Sequence, residues 1–247
     1  MNECEPGRYE RKYLIPEHVA TAARRFVAAY LPADDHMAGQ QRWGYRVHSL
    51  YLDSPQFALY RESTDGTKNR FKLRIRFYDP AEDAAAFLEI KRRIGTTIHK
   101  QRAMVPKPAA ERLLKGGMIT ARDILNYDEK SARALGEFCH LREQIGAAGT
   151  AFVSYWRDAF VSRQAEAARV TFDREIVGHL YHPRDGLTIV ERPAQVTSDQ
   201  VVLELKYIGR APSWMQDLIK MFQLERISYP KYVHCVDALK MTAALAG

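Results

Sequence analysis

Charged and apolar residues alternate in several stretches of this chain, and that alternation restricts how the stretches can fold. The segment from Lys72 to Arg76 reads Lys-Leu-Arg-Ile-Arg, so its basic residues occupy every second position. In a β-strand, residues two positions apart point to the same side, which gives this segment one basic face and one apolar face. Three Glu-x-Lys triplets, beginning at Glu10, Glu89 and Glu204, have the same spacing. We therefore expect a sheet with a charged face.

The pattern as a whole predicts a mainly antiparallel β fold of the α+β class, with about eight or nine strands. Several connections are too short for crossover helices, which favours antiparallel pairing. The predicted strands span residues 8–15, 45–52, 70–78, 85–93, 97–105, 152–162, 169–177, 187–191 and 200–207. Helices are predicted at 17–30 and 56–62, in an insertion at about 106–148, and at the C-terminus within about 212–246. We expect residues 1–247 to form a single domain.

Composition narrows the class of partner and the cellular compartment. The net charge of +7 and the pI of about 9.3 favour anionic partners. Cys4, Cys139 and Cys235 are odd in number and far apart, which favours a reducing cytoplasm and argues against disulfides or a zinc site. We see no apolar run of the roughly 18 to 20 residues needed to span a bilayer, and no signal-peptide core at the start. A cytoplasmic protein is expected.

The basic faces allow two interpretations. A solvated sheet face normally mixes charge signs and small polar residues, whereas arginine and lysine dominate here. We favour a closed β-barrel with a charged interior and helices outside, since an eight-stranded barrel encloses side chains or one small ligand. Cations held close together repel one another, and a bound polyanion would offset that repulsion. Phosphate suits this role because an arginine guanidinium can donate two hydrogen bonds to its oxygens. The carboxylates would repel that anion unless a hard divalent cation bridged them to it, so a metal-dependent triphosphate or polyphosphate site is predicted.

Seven segments resemble the VTC domain, the polyphosphate polymerase module of the vacuolar transporter chaperone complex, within the CYTH-like triphosphate tunnel metalloenzymes. They follow the order expected of that family between about residues 7 and 240. Each motif alone is weak, but seven motifs in the same order are specific to the family. The segments are Arg8–Tyr13, Ser49–Pro55, Lys72–Arg76, Phe87–Lys91, Val170–Asp173, Val202–Lys206 and Tyr229–Val233.

The resemblance implies a tunnel-shaped barrel that transfers the γ-phosphate of ATP to a growing polyphosphate chain, with Mn²⁺ or Mg²⁺ as cofactor. It implies that Glu204 is the principal metal ligand, and same-face geometry adds Glu10, Glu89 and Asp173. No catalytic serine or cysteine is expected. The residues implied to hold phosphate and act in catalysis are Lys12, Arg74, Arg76, Lys91, Lys100, Arg157, Arg169 and Lys231, the last on a helix that closes one mouth of the tunnel. Lys72, Arg102 and Lys206 are predicted to bind phosphate because they share the same strand faces.

Two departures and several alternatives accompany this interpretation. Arg8 stands where the wider superfamily often has the first glutamate of an ExExK motif, and Ser228 stands where polymerases can carry a second lysine. A triphosphatase, a nucleotide cyclase and a non-catalytic polyphosphate-binding subunit stay open as alternatives. Nucleic-acid binding is disfavoured because the basic segments lack the interleaved aromatic residues of single-strand platforms. Transport coupled to synthesis would need a separate membrane partner, and the oligomeric state is not predicted.

Overall fold

The computed structural model of the protein describes residues 8–37, 44–95, 97–163, 168–197 and 199–245. Cys4 and Ala246, which entered the predictions above, lie outside these ranges. The strands are β1 (Arg8–Pro16), β2 (Tyr45–Asp53), β3 (Arg70–Phe77), β4 (Ala85–Ile94), β5 (Thr97–Pro106), β6 (Ala148–Val161), β7 (Ala168–Leu180), β8 (Ala194–Gln195), β9 (Gln200–Ile208) and β10 (Arg226–Ile227). The helices are α1 (Glu17–Ala28), α2 (Ala58–Thr64), α3 (Lys107–Leu114), α4 (Glu129–Gln144), α5 (Ser213–Met221) and α6 (Lys231–Leu245).

The predicted fold class, mainly antiparallel β with α-helices, is confirmed. The ten strands are hydrogen-bonded in the order β10-β1-β9-β7-β6-β2-β3-β4-β5, with β8 paired to β7. The order begins at β10 and ends at β5, so within the described residues the sheet is not closed by hydrogen bonds as the expected barrel would be.

The structure differs from the prediction in one segment and in two short strands. Residues 187–191 do not form the predicted strand but a turn and an irregular segment. The apolar side chain of Leu187 is fully buried, as it would be in a strand. Its backbone N–H, however, donates to Glu111 Oε1 at 2.9 Å and not to a neighbouring strand. The two-residue strands β8 and β10 were not predicted, because two residues carry no detectable alternation.

Contacts divide the chain into two compact units, and the division falls inside β2, β6 and β7. Unit 1 comprises residues 1–46, 155–176 and 197–229, and unit 2 comprises residues 47–154, 177–196 and 230–247. Since each of these three strands belongs to both units, the prediction of a single domain stays a prediction.

Unit 1 contains the strand order β10-β1-β9-β7. The apolar face of this sheet packs with α1 and α5 around Tyr13, Phe172, Leu203 and Met215, all at most 2% exposed. Proline at position 16 ends β1 and precedes α1, where its fixed backbone suits a helix start. The opposite face of β1, β9 and β7 carries Glu10, Lys12, Glu204 and Lys206 together with Arg169, Thr171 and Asp173.

Unit 2 contains the strand order β2-β3-β4-β5. The apolar face of these strands packs against residues of α3 and α4 around Leu73, Leu88, Ala103 and Phe138, none of which is measurably exposed. Helix α4 contacts both β4 and β5. Because the apolar positions face these helices, every second residue of β3, β4 and β5 faces the other way. Most of the charged residues of the three strands lie on that other face, whereas Arg92 lies on the helix side and pairs with Glu137 of α4.

Candidate functional site

The charged face of β3, β4 and β5, called the basic face here, brings together most of the predicted phosphate-binding residues of unit 2. Strand register places Lys72 opposite Lys91, and Lys91 opposite Lys100. Like charges directly opposite each other on neighbouring strands are destabilising. The face carries four basic residues on β3, two on β4 and two on β5: Arg70, Lys72, Arg74, Arg76, Lys91, Arg93, Lys100 and Arg102. Glu89 is the acidic residue that these three strands contribute to this face.

Glu89 is the buried centre of an ion cluster on the basic face, here called the Glu89 cluster (Tyr51, Arg74, Arg76, Glu89, Lys100 and Lys231). The glutamate is 1% exposed. Arg74 donates from Nε to Glu89 Oε2 at 2.7 Å, and Lys100 Nζ lies 2.5 Å from Oε1. The third cation is Arg76, whose Nε is 4.0 Å from Oε2 and also donates to Ser49 Oγ at 3.2 Å.

The charges of this cluster shift the pKa of its members in different directions. Burial alone would raise the pKa of Glu89, but the charges of Arg74, Arg76 and Lys100 hold it well below its ordinary value. Burial lowers the pKa of Lys100 to about 8, against the attraction of Glu89. Glu89 is therefore ionised at neutral pH, and Lys100 titrates closer to neutrality than an ordinary lysine.

Tyr51 belongs to the Glu89 cluster although sequence analysis did not select it. Its hydroxyl accepts a hydrogen bond from Arg74 NH1 at 3.2 Å, and its ring stacks on Tyr232 with centroids 4.9 Å apart. Burial would raise its pKa, but nearby cations, including Arg74, Arg76 and Lys231, lower it below the ordinary value. The alternation of β2, which puts Ser49, Tyr51 and Asp53 on one face, was the signal that could have identified it.

Helix α6, whose first residue Lys231 is 8% exposed, contacts the end of β2 and helix α2. The neighbouring Tyr232 donates its hydroxyl to Asp53 Oδ2 at 2.7 Å. Asp53 also accepts from the backbone N–H groups of residues 54, 59 and 60 at 2.7 to 2.9 Å, so its carboxylate is fully engaged. Further along α6, Asp237 accepts from the Tyr60 hydroxyl at 2.6 Å. These bonds determine where the first turn of α6, and hence Lys231, lies.

In unit 1, Glu204 lies at the centre of a second group of charges, here called the Glu204 cluster (Glu10, Lys12, Arg157, Asp173, Glu204 and Lys206). Lys12 Nζ is 3.3 Å from Glu10 Oε1 and 3.4 Å from Glu204 Oε1. Lys206 Nζ lies 3.0 Å from Glu204 Oε2. Strand register explains the arrangement, because β1 pairs with β9 so that Lys12 is opposite Glu204 and Glu10 is opposite Lys206.

Arg157 and Asp173 form a bidentate ion pair beside Glu204. Arg157 donates from Nε and from NH2 to the two Asp173 oxygens, each at 2.7 Å, and its NH2 is 4.0 Å from Glu204 Oε2. Asp173 has no measurable exposure. Both of its oxygens are used by the guanidinium, so the geometry suits a residue that orients Arg157.

Arg169 lies on the same strand face as the Glu204 cluster but has other partners. Its NH2 donates to Asp34 Oδ2 at 2.7 Å and to the Tyr45 hydroxyl at 3.4 Å. Asp34 also accepts a hydrogen bond on Oδ1 from the backbone N–H of His36, at 3.1 Å. Sequence analysis missed Asp34 because it lies in a connecting loop, where no periodicity marks a functional face.

The predicted metal ligands do not form a complete protein site by themselves. Among the described residues, no group of three or more His, Cys, Asp or Glu side chains could hold an ion. Glu10 and Glu204 nevertheless approach the same Lys12 ammonium and present carboxylate oxygens, the donors that Mg²⁺ and Mn²⁺ prefer. Mg²⁺ is usually held by one or two carboxylates together with substrate phosphates. The Glu204 cluster therefore fits a cation that arrives with a triphosphate, whereas Glu89 and Asp173 are engaged by basic side chains.

The sequence matches the family model of the VTC domain over residues 7–240. The chain belongs to the VTC domain family. Every residue of the two clusters of this VTC domain lies inside the matched range. None of the curated proteins matches the chain significantly.

Solved structures resemble this VTC domain only remotely. A candidate adenylate cyclase from Bacillus halodurans is 13% identical, with 91% of this chain and 94% of that chain covered and a TM-score of 0.48. A candidate adenylate cyclase from Vibrio parahaemolyticus is 12% identical, covers 93% and 98% of the two chains, and gives a TM-score of 0.45. A protein from Pyrococcus horikoshii is 11% identical, with 93% and 97% covered and a TM-score of 0.45. The family assignment rests on the VTC match.

Proposed function

We propose that this VTC domain is a polyphosphate polymerase, which transfers the γ-phosphate of ATP to the end of a growing polyphosphate chain. The observation that supports this most directly is the basic face, where lysines of three neighbouring strands lie opposite one another. Such a row costs stability without an anion, and a bound phosphate chain would reverse that cost. Family membership favours polyphosphate among the anions that could bind there.

The reaction needs positioning and charge neutralisation more than covalent chemistry from the protein. A terminal phosphate oxygen of the chain forms a bond to the γ-phosphorus, while the bond from that phosphorus to the bridging oxygen of ADP breaks and leaves its electrons on ADP. Arg74 and Arg76 would hold phosphate oxygens through their forked donors, and Lys100 and Lys231 would neutralise charge. The acceptor oxygen is already ionised, so no protein nucleophile or general base is required.

A divalent cation would be held by Glu204 and Glu10, where it would neutralise phosphate oxygens that these carboxylates would otherwise repel. Lys12 and Lys206 lie within 3.4 Å of the Glu204 oxygens and balance the carboxylate charge in the protein alone. In this proposal Arg157, oriented by Asp173, contributes a further phosphate contact from the same cluster.

We also propose a cytoplasmic location. Cys139 and Cys235 are free among the described cysteines, as expected in a reducing compartment. Among the described residues, none of the helices combines the length and the apolar character that crossing a membrane requires. In this proposal a separate membrane partner would transport the product.

Product analysis tests the proposed activity. Purified protein is incubated with ATP and Mn²⁺ or Mg²⁺, and the products are separated and digested with an exopolyphosphatase. Digestible phosphate chains would support the polymerase. Orthophosphate without chains would replace it with a triphosphatase, cyclic AMP would indicate a cyclase, and tight polyphosphate binding without turnover would indicate a regulatory subunit.

A pair of variants links the activity to the basic face. We expect Arg74→Ala to reduce turnover by on the order of 10²-fold, comparable to the loss of one preorganised donor to a charged transition state. The control is Arg133→Ala on α4, whose side chain is 77% exposed and pairs with Glu129 at the surface. Equal activities of the two variants would contradict the assignment of the basic face.

A further inference from the structure

Thr171 has a buried hydroxyl without a hydrogen-bond partner among the described residues. The residue has no measurable exposure, and no donor or acceptor contacts its Oγ1. Burying an unpaired hydroxyl costs stability, and such groups in native proteins call for an explanation, such as an ion or a water that binds there. Thr197, another buried threonine of unit 1, provides the contrast, because its Oγ1 accepts the Ile176 N–H at 3.3 Å.

Strand register places Thr171 directly beside the Glu204 cluster. On β7, Thr171 lies opposite Glu204 of β9, and Lys12 of β1 lies opposite Glu204 on the other side. Directly opposed residues of an antiparallel pair have Cβ atoms about 4.5–5.5 Å apart and point to the same face. The Thr171 side chain is therefore a neighbour of the Glu204 carboxylate within one unit of the protein.

A structural role does not account for a threonine at this position. Valine has nearly the same shape and would fill the same space without burying an unpaired oxygen. A hydroxyl oxygen beside a carboxylate, in contrast, is a suitable donor for a hard divalent cation. Among the described residues, the carboxylates of the cluster do not form a group of three that could hold an ion. The Thr171 hydroxyl would add a further oxygen ligand to them.

We infer that Thr171 is an oxygen ligand of the divalent cation held by Glu204. This inference rests on the metal dependence of the proposed function. It adds a metal ligand from the segment Val170–Asp173, where the sequence pattern alone indicated only Asp173. Among the described residues, Lys12 and Lys206 balance the charge of Glu204, and the Thr171 hydroxyl has no hydrogen-bond partner. When the cation is bound, the threonine oxygen enters its coordination shell.

The test measures metal affinity and stability in the same set of variants. Wild type, T171V, T171S and E204Q are titrated with Mn²⁺ alone and with Mn²⁺ plus an excess of a β,γ-imido ATP analogue. T171V is expected to raise the Mn²⁺ dissociation constant by about tenfold or more, whereas T171S, which keeps the hydroxyl, stays within about threefold of wild type. Without metal, the urea midpoint of T171V should equal or exceed that of wild type, because the unpaired hydroxyl is gone.

T197V is the matched control, because it removes a buried hydroxyl that has a partner. It should lower the urea midpoint and leave Mn²⁺ affinity unchanged. If T171V does not fold, T171A replaces it in the same titration. Unchanged Mn²⁺ affinity of T171V in the presence of the analogue, whether or not the affinity for the analogue itself changes, would overturn the inference.

The same titration separates this inference from the proposed function. If E204Q weakens Mn²⁺ binding and T171V does not, the metal site stands and only the Thr171 assignment fails. If wild type and E204Q bind Mn²⁺ equally, or not at all, even with the analogue present, the metal site of the proposed function fails together with the Thr171 assignment.

Discussion

The substitution Glu89→Gln tests most directly how the basic face is stabilised. It removes the carboxylate that contacts Arg74 and Lys100 while it keeps the size of the side chain. Glu89 is 1% exposed, so the loss resembles the removal of one partner from a buried ion pair, which costs about 3–5 kcal/mol. We expect a decrease of that size in the free energy of unfolding, measured by urea denaturation at pH 7 and low ionic strength.

Glu137→Gln is the control for this experiment. Glu137 lies on α4, and its Oε1 is 2.7 Å from Arg92 NH2, but both side chains are about one third exposed. Such a pair contributes at most about 1 kcal/mol. A loss in Glu89→Gln no larger than in Glu137→Gln would refute the view that Glu89 neutralises the cations of the basic face.

Two further measurements follow from the same cluster. Tripolyphosphate should restore more stability to Glu89→Gln than to wild type, because bound phosphate supplies the missing negative charge and binds only the folded state. The pKa of Glu89 is lowered by folding from its ordinary value of 4.5, so its contribution is present above pH 4.5 and is lost as the pH falls through the folded value. The difference between wild type and variant should therefore narrow below about pH 4.5.

Two predictions concern the surroundings of the cluster. Tyr232→Phe removes the hydroxyl that donates to the Asp53 carboxylate at 2.7 Å. We expect the free energy of unfolding, measured by urea denaturation, to fall by about 1.5–3 kcal/mol. An unchanged free energy of unfolding would contradict the role of this hydrogen bond in positioning α6. Gly178→Ala would place a methyl group against Cys235 Sγ and cost about 1–3 kcal/mol. Gly136→Ala in α4, where no described neighbour outside the helix backbone lies within 4 Å of the added methyl group, should gain up to about 1 kcal/mol. Equal urea midpoints of the two variants would contradict the close packing of Gly178.

The strands of the basic face could be predicted because their alternation is regular. The boundaries of β3, β4 and β5 agree with the predicted segments within one residue, and the apolar positions Leu73, Ile75 and Leu88 are fully buried as expected. A period of two determines which residues share a face before any tertiary contact is known. The segment 187–191 shows the opposite case, because one buried and two partly buried apolar residues in a loop resemble a short strand.

The sequence alone determined the antiparallel β class, the family and the residue types of the charged faces, since periodicity and motif order are local properties of the chain. Only the tertiary structure decided how the charges are paired. Register puts Lys12 opposite Glu204 and Thr171 on its other side. Both oxygens of Asp173 accept hydrogen bonds from Arg157. Pairing depends on which strands become neighbours and on their alignment, and a shift by one residue would reverse every face. For that reason the three Glu-x-Lys triplets look alike in sequence but differ in the structure, where Glu89 is buried by arginine and lysine while Glu10 and Glu204 share one lysine.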